Sequence, residues 1–372
     1  MTTRRLGVAR ALVDGVLVAG DVAIDGDRIA AIGLPPARGD RIAAPGLVDA
    51  QVNGFAGVDL MTADEPGIRA VSRALTRYGV TAWLPTLITA AAADTDRALK
   101  EFAKALAAGP TVDAARPLGV HLEGPYLSPQ RLGTHPAAHR RDPDAEEMRR
   151  WLAVGPVVAV TVAPELPGAV ELIRELSDRG VRVFAGHSDA TAEQAHAGFD
   201  AGAIGVTHLF NATSPFHHRQ PGLPGAALAR PDVALGLIVD GYHLADDTVR
   251  VVFAAAPGRV MLVSDATAAA GRPDGRYELA GVRLDVRDGA VRNPEGGLAG
   301  SALTLDAAVR NACDLGIDPA AALSAASEIP ARALDRADIG HLRVGGVADV
   351  VVLSDDLQVI DTFVAGHGTP MS

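Results

Sequence analysis

The chain has 372 residues, 48% of them hydrophobic, a formal net charge of −11 and a pI near 5.4. Such a length allows one large domain plus a smaller one, and the acidic balance argues against nucleic acid or an anionic membrane as partner. A single cysteine, Cys313, excludes an internal disulfide and fits a reducing, cytoplasmic location, and no apolar run approaches the roughly 18–20 residues of a membrane helix.

The first 45 residues read as β structure. In "VLVAGDVAIDGDRIAAIG" the pair Asp25-Gly26 separates two apolar runs, a strong hairpin signal, and Asp14-Gly15 is a weaker one. Next comes "PGLVDAQVNG", a buried strand leaving a Pro-Gly turn. Metal-dependent hydrolases often carry His-x-His at such a strand end; this chain has Gln51 and Asn53, and neither amide is a good zinc ligand.

From there the rhythm alternates. The apolar runs "VTAWLPT", "RPLGVHLEG", "VVAVTVAPE", "VRVFAGHS", "AIGVTHLFN", "VALGLIVDG" and "GRVMLVSDA" join "GLVDAQVNG" to make eight. Helical stretches such as "EPGIRAVSRALTRYG", "TDRALKEFAKALAAG", "GAVELIRELSDRG" and "TAEQAHAGFDAG" lie between them. Near-continuous apolar strands alternating with helices mean a parallel sheet covered by helices, and eight units predict a closed (β/α)8 barrel over 46–334. An open doubly wound sheet is the alternative, but no Gly-x-Gly-x-x-Gly follows an early strand. A segment at 275–297 reads as a β-hairpin insertion turning at Asp288-Gly289. The last residues, 335–372, return to β character, and pairing them with 1–45 predicts a small discontinuous β-sandwich, since neither piece buries both faces alone.

Chemistry gathers where the apolar runs end. Glu123 follows "PLGVH", His187 follows "VRVFAG", His208 follows "AIGVT" with Asn211 nearby, His243 follows "LGLIVDG", and Asp265 follows "VMLVS". In a barrel these positions share one mouth. One carboxylate and two imidazoles, Glu123, His187 and His208, have the composition of a three-ligand zinc site with a position open for water. Read singly, each histidine is a hydrogen-bonded loop residue, Glu123 a turn acceptor and Asp265 a helix cap. An unpaired carboxylate at a buried strand end, however, costs several kcal/mol. On this reading Gln51 and Asn53 mark a second metal site that was lost. Trp83 and Trp151 read as packing residues, and adjacent His217 and His218 cannot share one face.

The ordered series "HLEGPYL", "GTH", "GHSDAT", "THLFNA", "RQPG", "VDGYH", "VSDAT" and "LAGSALT" resembles the N-acetylglucosamine-6-phosphate deacetylases of the amidohydrolase superfamily. That resemblance implies a distorted (β/α)8 TIM-type barrel with a small β-sandwich, and hydrolysis of the N-acetyl group of a phosphorylated amino sugar. By position it implies Glu123, His187 and His208 as metal ligands, Asp265 as catalytic base and acid, and His135 at the acetamide carbonyl with Thr134 beside it. It places Asn211, Ala212, Arg219 and His243 around the sugar phosphate, with Leu298, Ala299 and Gly300 lining the pocket through backbone groups. Gln51-x-Asn53 matches the version of the family holding one divalent metal, Zn2+ in the first instance, with Fe2+, Co2+ or Mn2+ as alternatives. The resemblance also implies a homodimer, in which a neighbouring subunit completes the phosphate pocket through Arg219 or His243. Two alternatives stand beside it. One is a related amidohydrolase acting on N-acetylgalactosamine-6-phosphate or a cyclic amide; Lys100 and Lys104, the only lysines, fall on a helix, which speaks against a carbamylated strand-end lysine. The other is a non-catalytic barrel.

Overall fold

The computed structural model describes residues 3–370. Eight parallel strands, Leu47–Val52, Val80–Ile88, Val120–Glu123, Val157–Val162, Arg182–Ala185, Ala203–Val206, Ala234–Leu237 and Val260–Leu262, pair in that order. Each coincides with one of the eight apolar runs, the second extending two residues past "VTAWLPT". Both faces of such a sheet are covered, so polar alternation is absent; the second strand is buried at all 9 positions. The seam between eighth and first strands is closed by few contacts. Val52 bridges Ala266, the Ser264 amide donates to Asp49 Oδ1 at 3.2 Å, and the Ser264 hydroxyl donates to the Gln51 carbonyl at 3.2 Å. The barrel is therefore nearly closed and distorted at this seam.

Helices cover the barrel with amphipathic faces. Glu65–Thr76 starts at Asp64, whose side chain accepts from the Gly67 amide, and buries Ile68, Val71 and Leu75 at helical spacing. Ala169–Asp178 buries Leu172, Ile173 and Leu176. Ala192–Asp200 begins with a capping box made by Thr191 and Gln194. Gly222–Ala229 is helical although it opens Gly-Leu-Pro-Gly, a stretch whose local signals oppose a helix. Both tryptophans are core residues: the indole of Trp83 donates to Ser72 Oγ and that of Trp151 to Asp96 Oδ1. Cys313 is only half-buried, and burial pushes its thiol up to about 11.

The two ends of the chain meet in one β unit. A six-stranded sheet runs 367–370, 359–364, 350–353, 42–45, 10–13, 16–19 in space, and a three-stranded sheet comprises 4–5, 21–25 and 28–34. Val22, Ile24 and Ile29 of the smaller sheet pack with Ala11, Ala43, Val350 and Phe363 of the larger in an apolar cluster separate from the barrel core. Asp14-Gly15 forms a two-residue hairpin loop with φ of 46° and 76°, as type I′ geometry requires. The next hairpin turns one residue later than its Asp-Gly pair predicts, because Asp25 still pairs with Arg28 and the loop is Gly26-Asp27. Between barrel strand eight and the following helix, Gly275–Leu279, Val282–Arg287 and Ala290–Arg292 form a three-stranded antiparallel insertion turning at Asp288-Gly289.

Candidate active site

The carboxyl ends of the strands converge on one mouth. Glu123 ends the third strand; His187, His208 and Asp265 follow the fifth, sixth and eighth within a few residues. Their backbones are unusual: φ is 47° at His187, 29° at His208 and 48° at Asp265, a region that side chains other than glycine seldom occupy. Hydrogen bonds around them hold these turns. The Ser188 amide donates to the Ala212 carbonyl, the Leu209 amide to the Gly236 carbonyl, and the Ser301 amide to the Asp265 carbonyl. Strain that the surrounding fold over-determines is characteristic of sites where side-chain direction matters.

Three ligand atoms meet at nearly equal spacing. Glu123 Oε1 lies 3.2 Å from His187 Nε2 and 3.1 Å from His208 Nε2, and the two nitrogens are 3.1 Å apart. A tetrahedral cation with ligands at about 2.0–2.2 Å has edges only slightly longer than this. All three residues are buried, and a carboxylate facing two imidazoles in such surroundings is the donor chemistry of a borderline-soft divalent ion. A looser trio, Glu123, His135 and His187, has ligand atoms within 4.8 Å of one another. Its His135 Nε2 stands 3.9 Å from the other carboxylate oxygen, Oε2, so the tighter trio fits an ion better.

Gln51 and Asn53 are part of this centre. Gln51 Nε2 donates to Glu123 Oε1 at 3.1 Å and to Asp265 Oδ1 at 3.0 Å. Asn53 Nδ2 donates to the same Asp265 oxygen at 2.7 Å. Burial alone would raise the Glu123 pKa; hydrogen bonds and charge from His187 and His208 outweigh it and hold the carboxyl well below the ordinary range. Burial opposes charge on His208 too, but Glu123 and then Asp265 push it up to about 9. Asp265 moves opposite to Glu123: burial, reinforced by the Glu123 charge, raises it to about 7. Burial and the neighbouring His187 lower His135 to about 3, so its imidazole is neutral. Two carboxyl groups with pKa values pushed apart in one pocket are the pattern expected of an acid–base site.

The mouth opens into a cavity of about 350 Å3. Thr134, Asn211, Ala212, His243, Leu298 and Gly300 line it together with the residues named above. The Thr134 hydroxyl donates to the Leu298 carbonyl at 3.3 Å. Nδ1 of His243 sits 2.7 Å from Asp240 Oδ2, and this contact outweighs burial to keep Asp240 below its ordinary pKa. Two expected residues lie elsewhere. Ala299 is buried behind the wall, its amide donating to the Val291 carbonyl, and Arg219 is exposed on the 214–220 loop outside the cavity. That loop runs between the sixth-strand turn and the Gly222–Ala229 helix, and its residues 215–220 are exposed. Gln130 and Arg131 do line the cavity; no motif in the sequence marks them, although only Leu132 separates them from the Gly-Thr-His stretch. Arg131 pairs with Asp189, which follows His187 by two residues.

Residues 42–368 match the Amidohydrolase family. The chain is 42% identical over 295 residues to an N-acetylgalactosamine-6-phosphate deacetylase of Escherichia coli O157:H7, covering 78% of each chain. It is 38% identical over 313 residues to an N-acetylglucosamine-6-phosphate deacetylase of Vibrio furnissii, covering 83% of this chain and 78% of that protein. A solved structure of a mutant N-acetyl-D-glucosamine-6-phosphate deacetylase from Mycobacterium smegmatis, in complex with N-acetyl-D-glucosamine-6-phosphate, superposes over 100% of both chains with a TM-score of 0.93 and 35% identity.

Proposed function

The chain belongs to the amidohydrolase family, and from that premise we propose that it hydrolyses the N-acetyl group of N-acetylglucosamine-6-phosphate to acetate and glucosamine-6-phosphate. The observation that carries this reading is the convergence of Glu123 Oε1, His187 Nε2 and His208 Nε2 beside an Asp265 carboxyl raised to about 7. Glu123, His187 and His208 are the residues that would hold one divalent cation. Zn2+ is the first choice for this donor set, with Fe2+, Co2+ or Mn2+ as substitutes. When bound, such an ion lowers the pKa of water toward about 7 and polarises the amide carbonyl.

The chain's own residues supply the rest. Asp265 takes the proton of the attacking water on one carboxylate oxygen while Gln51 and Asn53 hold the other. The same carboxyl then delivers that proton to the leaving nitrogen, so the C–N bond breaks as an amine departs rather than an amide anion. His135 donates to the acetyl oxygen as negative charge develops there. Asn211, Ala212, Thr134 and His243, with backbone groups of Leu298 and Gly300, hold the sugar phosphate in the cavity. Arg219 is exposed and does not line the cavity, and this reading includes a homodimer in which the loop carrying it in one copy completes the pocket of another. A single cysteine suits the reducing cytoplasm as the place of action.

A second reading has a specific observation behind it: the 42% identical relative is named for the galacto-configured sugar. The two sugars differ at one hydroxyl, so only rates discriminate them. Purified protein should carry about one equivalent of metal per chain. It should release acetate from N-acetylglucosamine-6-phosphate, stop when a chelator strips the ion, and recover with Zn2+. A higher kcat/KM for the galacto epimer moves the assignment to the second reading, and no acetate from either sugar phosphate removes both.

A further inference from the structure

The rings of His135 and His187 lie with centroids 4.4 Å apart, tilted 58° to each other, yet backbone groups write opposite tautomers onto them. His187 Nδ1 lies 2.9 Å from the carbonyl oxygen of Arg131. A carbonyl only accepts, so Nδ1 of His187 carries the proton and Nε2 presents a lone pair. At His135 the roles reverse. The Thr89 backbone amide donates to His135 Nδ1 at 3.3 Å, and the Thr89 hydroxyl stands 2.9 Å from the same nitrogen. An amide N–H only donates, so Nδ1 of His135 is the acceptor and its proton sits on Nε2, the nitrogen that faces the carboxylate of Glu123.

We propose that Thr89 is a positioning residue, its backbone amide fixing the tautomer of His135 and its hydroxyl holding the ring in place, so that the imidazole is a hydrogen-bond donor to the substrate rather than a fourth metal ligand. The proposal rests on the reading of His135 as the donor to the acetyl oxygen, and it separates the two trios that composition leaves open. With Nε2 protonated, His135 has no lone pair for a cation; His187 and His208 remain. The fold reserves the space this contact needs. Thr89 follows the second strand, is 1% exposed, and stands against Gly124, where a Cβ atom would lie 2.3 Å from the Thr89 hydroxyl. The hydroxyl has one other acceptor in range, the Glu123 carbonyl at 3.5 Å, and the shorter contact to His135 is the better bond.

Nitrogen-15 NMR of the zinc-loaded, histidine-labelled protein reads the tautomers directly. The expected result is a proton on Nε2 of His135 and on Nδ1 of His187; a His135 proton on Nδ1 overturns the proposal. Thr89→Val removes the hydroxyl, keeps the shape and leaves the backbone amide. It should lower kcat about tenfold, less than the 100- to 1000-fold typical of losing an oxyanion donor outright. KM and zinc content should stay within twofold of wild type, and Thr89→Ser should restore kcat. A merely structural threonine would move zinc content or KM and would not be rescued by serine. Unchanged kcat in Thr89→Val overturns the positioning role of the Thr89 hydroxyl. His135→Ala serves as the independent control. Unchanged kcat there removes the reading of His135, whereas a fall in His135→Ala without one in Thr89→Val removes only the present inference.

Discussion

Asn53 Nδ2 donates to Oδ1 of Asp265 at 2.7 Å, across the seam between the first and eighth strands. The amide holds the carboxylate in place from the end of the first strand. Gln51 does the same and ties Asp265 to Glu123 through one nitrogen. Each amide stabilises negative charge without adding a positive one, which leaves Asp265 basic enough to take a proton.

Asn53→Ala removes the shorter of the two bonds to Asp265. Hydrogen bonds to charged groups contribute about 1.5–3 kcal/mol, so kcat should fall about 10- to 100-fold while metal content is unchanged. Acetate release alongside metal analysis checks both. Loss of the metal together with activity would mean that Asn53 supports the ion rather than the base.

Asp265→Asn should retain the ion and lose about 10²–10⁴ in rate, the usual contribution of a general base. Near-normal turnover would remove Asp265 from the chemistry.

The pH dependence has a definite sign. In chelator-treated protein the folded Asp265 pKa, about 7, lies above its ordinary value of 3.8. The folded state therefore binds more protons than the unfolded state between those values. The contribution of Asp265 to stability is fully present below about pH 4 and is lost as pH rises through about 7. Wild type should accordingly lose stability relative to Asp265→Asn across this window, as denaturant midpoints at several pH values would report. A bound cation favours the carboxylate, so in the loaded enzyme the acid limb of kcat should fall at or below pH 7. An acid limb well above neutrality would contradict the assignment.

Arg219→Ala should raise KM for the phosphorylated sugar and leave turnover of unphosphorylated N-acetylglucosamine unchanged, because a guanidinium grips phosphate through paired hydrogen bonds. Sedimentation should give a dimer. Equal effects on both sugars, or a monomer with full activity, would make Arg219 an ordinary surface charge.

Gly124 has φ of 89°, and an added Cβ would collide with Thr89 and crowd Leu127. Gly124→Ala should be destabilised by about 1–3 kcal/mol and lower kcat by displacing the Thr89 hydroxyl. Thermal unfolding and kinetics on the same sample check the pair; an unchanged Tm would show that this turn relaxes freely.

The barrel was legible because its signal is local. A strand buried on both faces must be apolar along its length, and eight such runs, each ending in polar residues, have few other solutions. Glu123, His187 and His208 were legible for the same reason, since strand-end positions share a mouth in any closed parallel sheet. The Gly222–Ala229 helix was hidden by breakers that its packing against the barrel overrides.

By itself, then, the amino-acid order determined the parallel barrel, the terminal β unit and the residue types able to hold one cation. Only the tertiary structure decided that Gln51 and Asn53 turn toward Asp265, that Thr89 and Arg131 write opposite tautomers onto two adjacent histidines, and that Arg219 is exposed and not part of the cavity lining. Periodicity reports how each residue meets the solvent, a property of the local chain. The direction of a hydrogen bond between residues as much as 214 positions apart is settled only when the first and eighth strands close on each other.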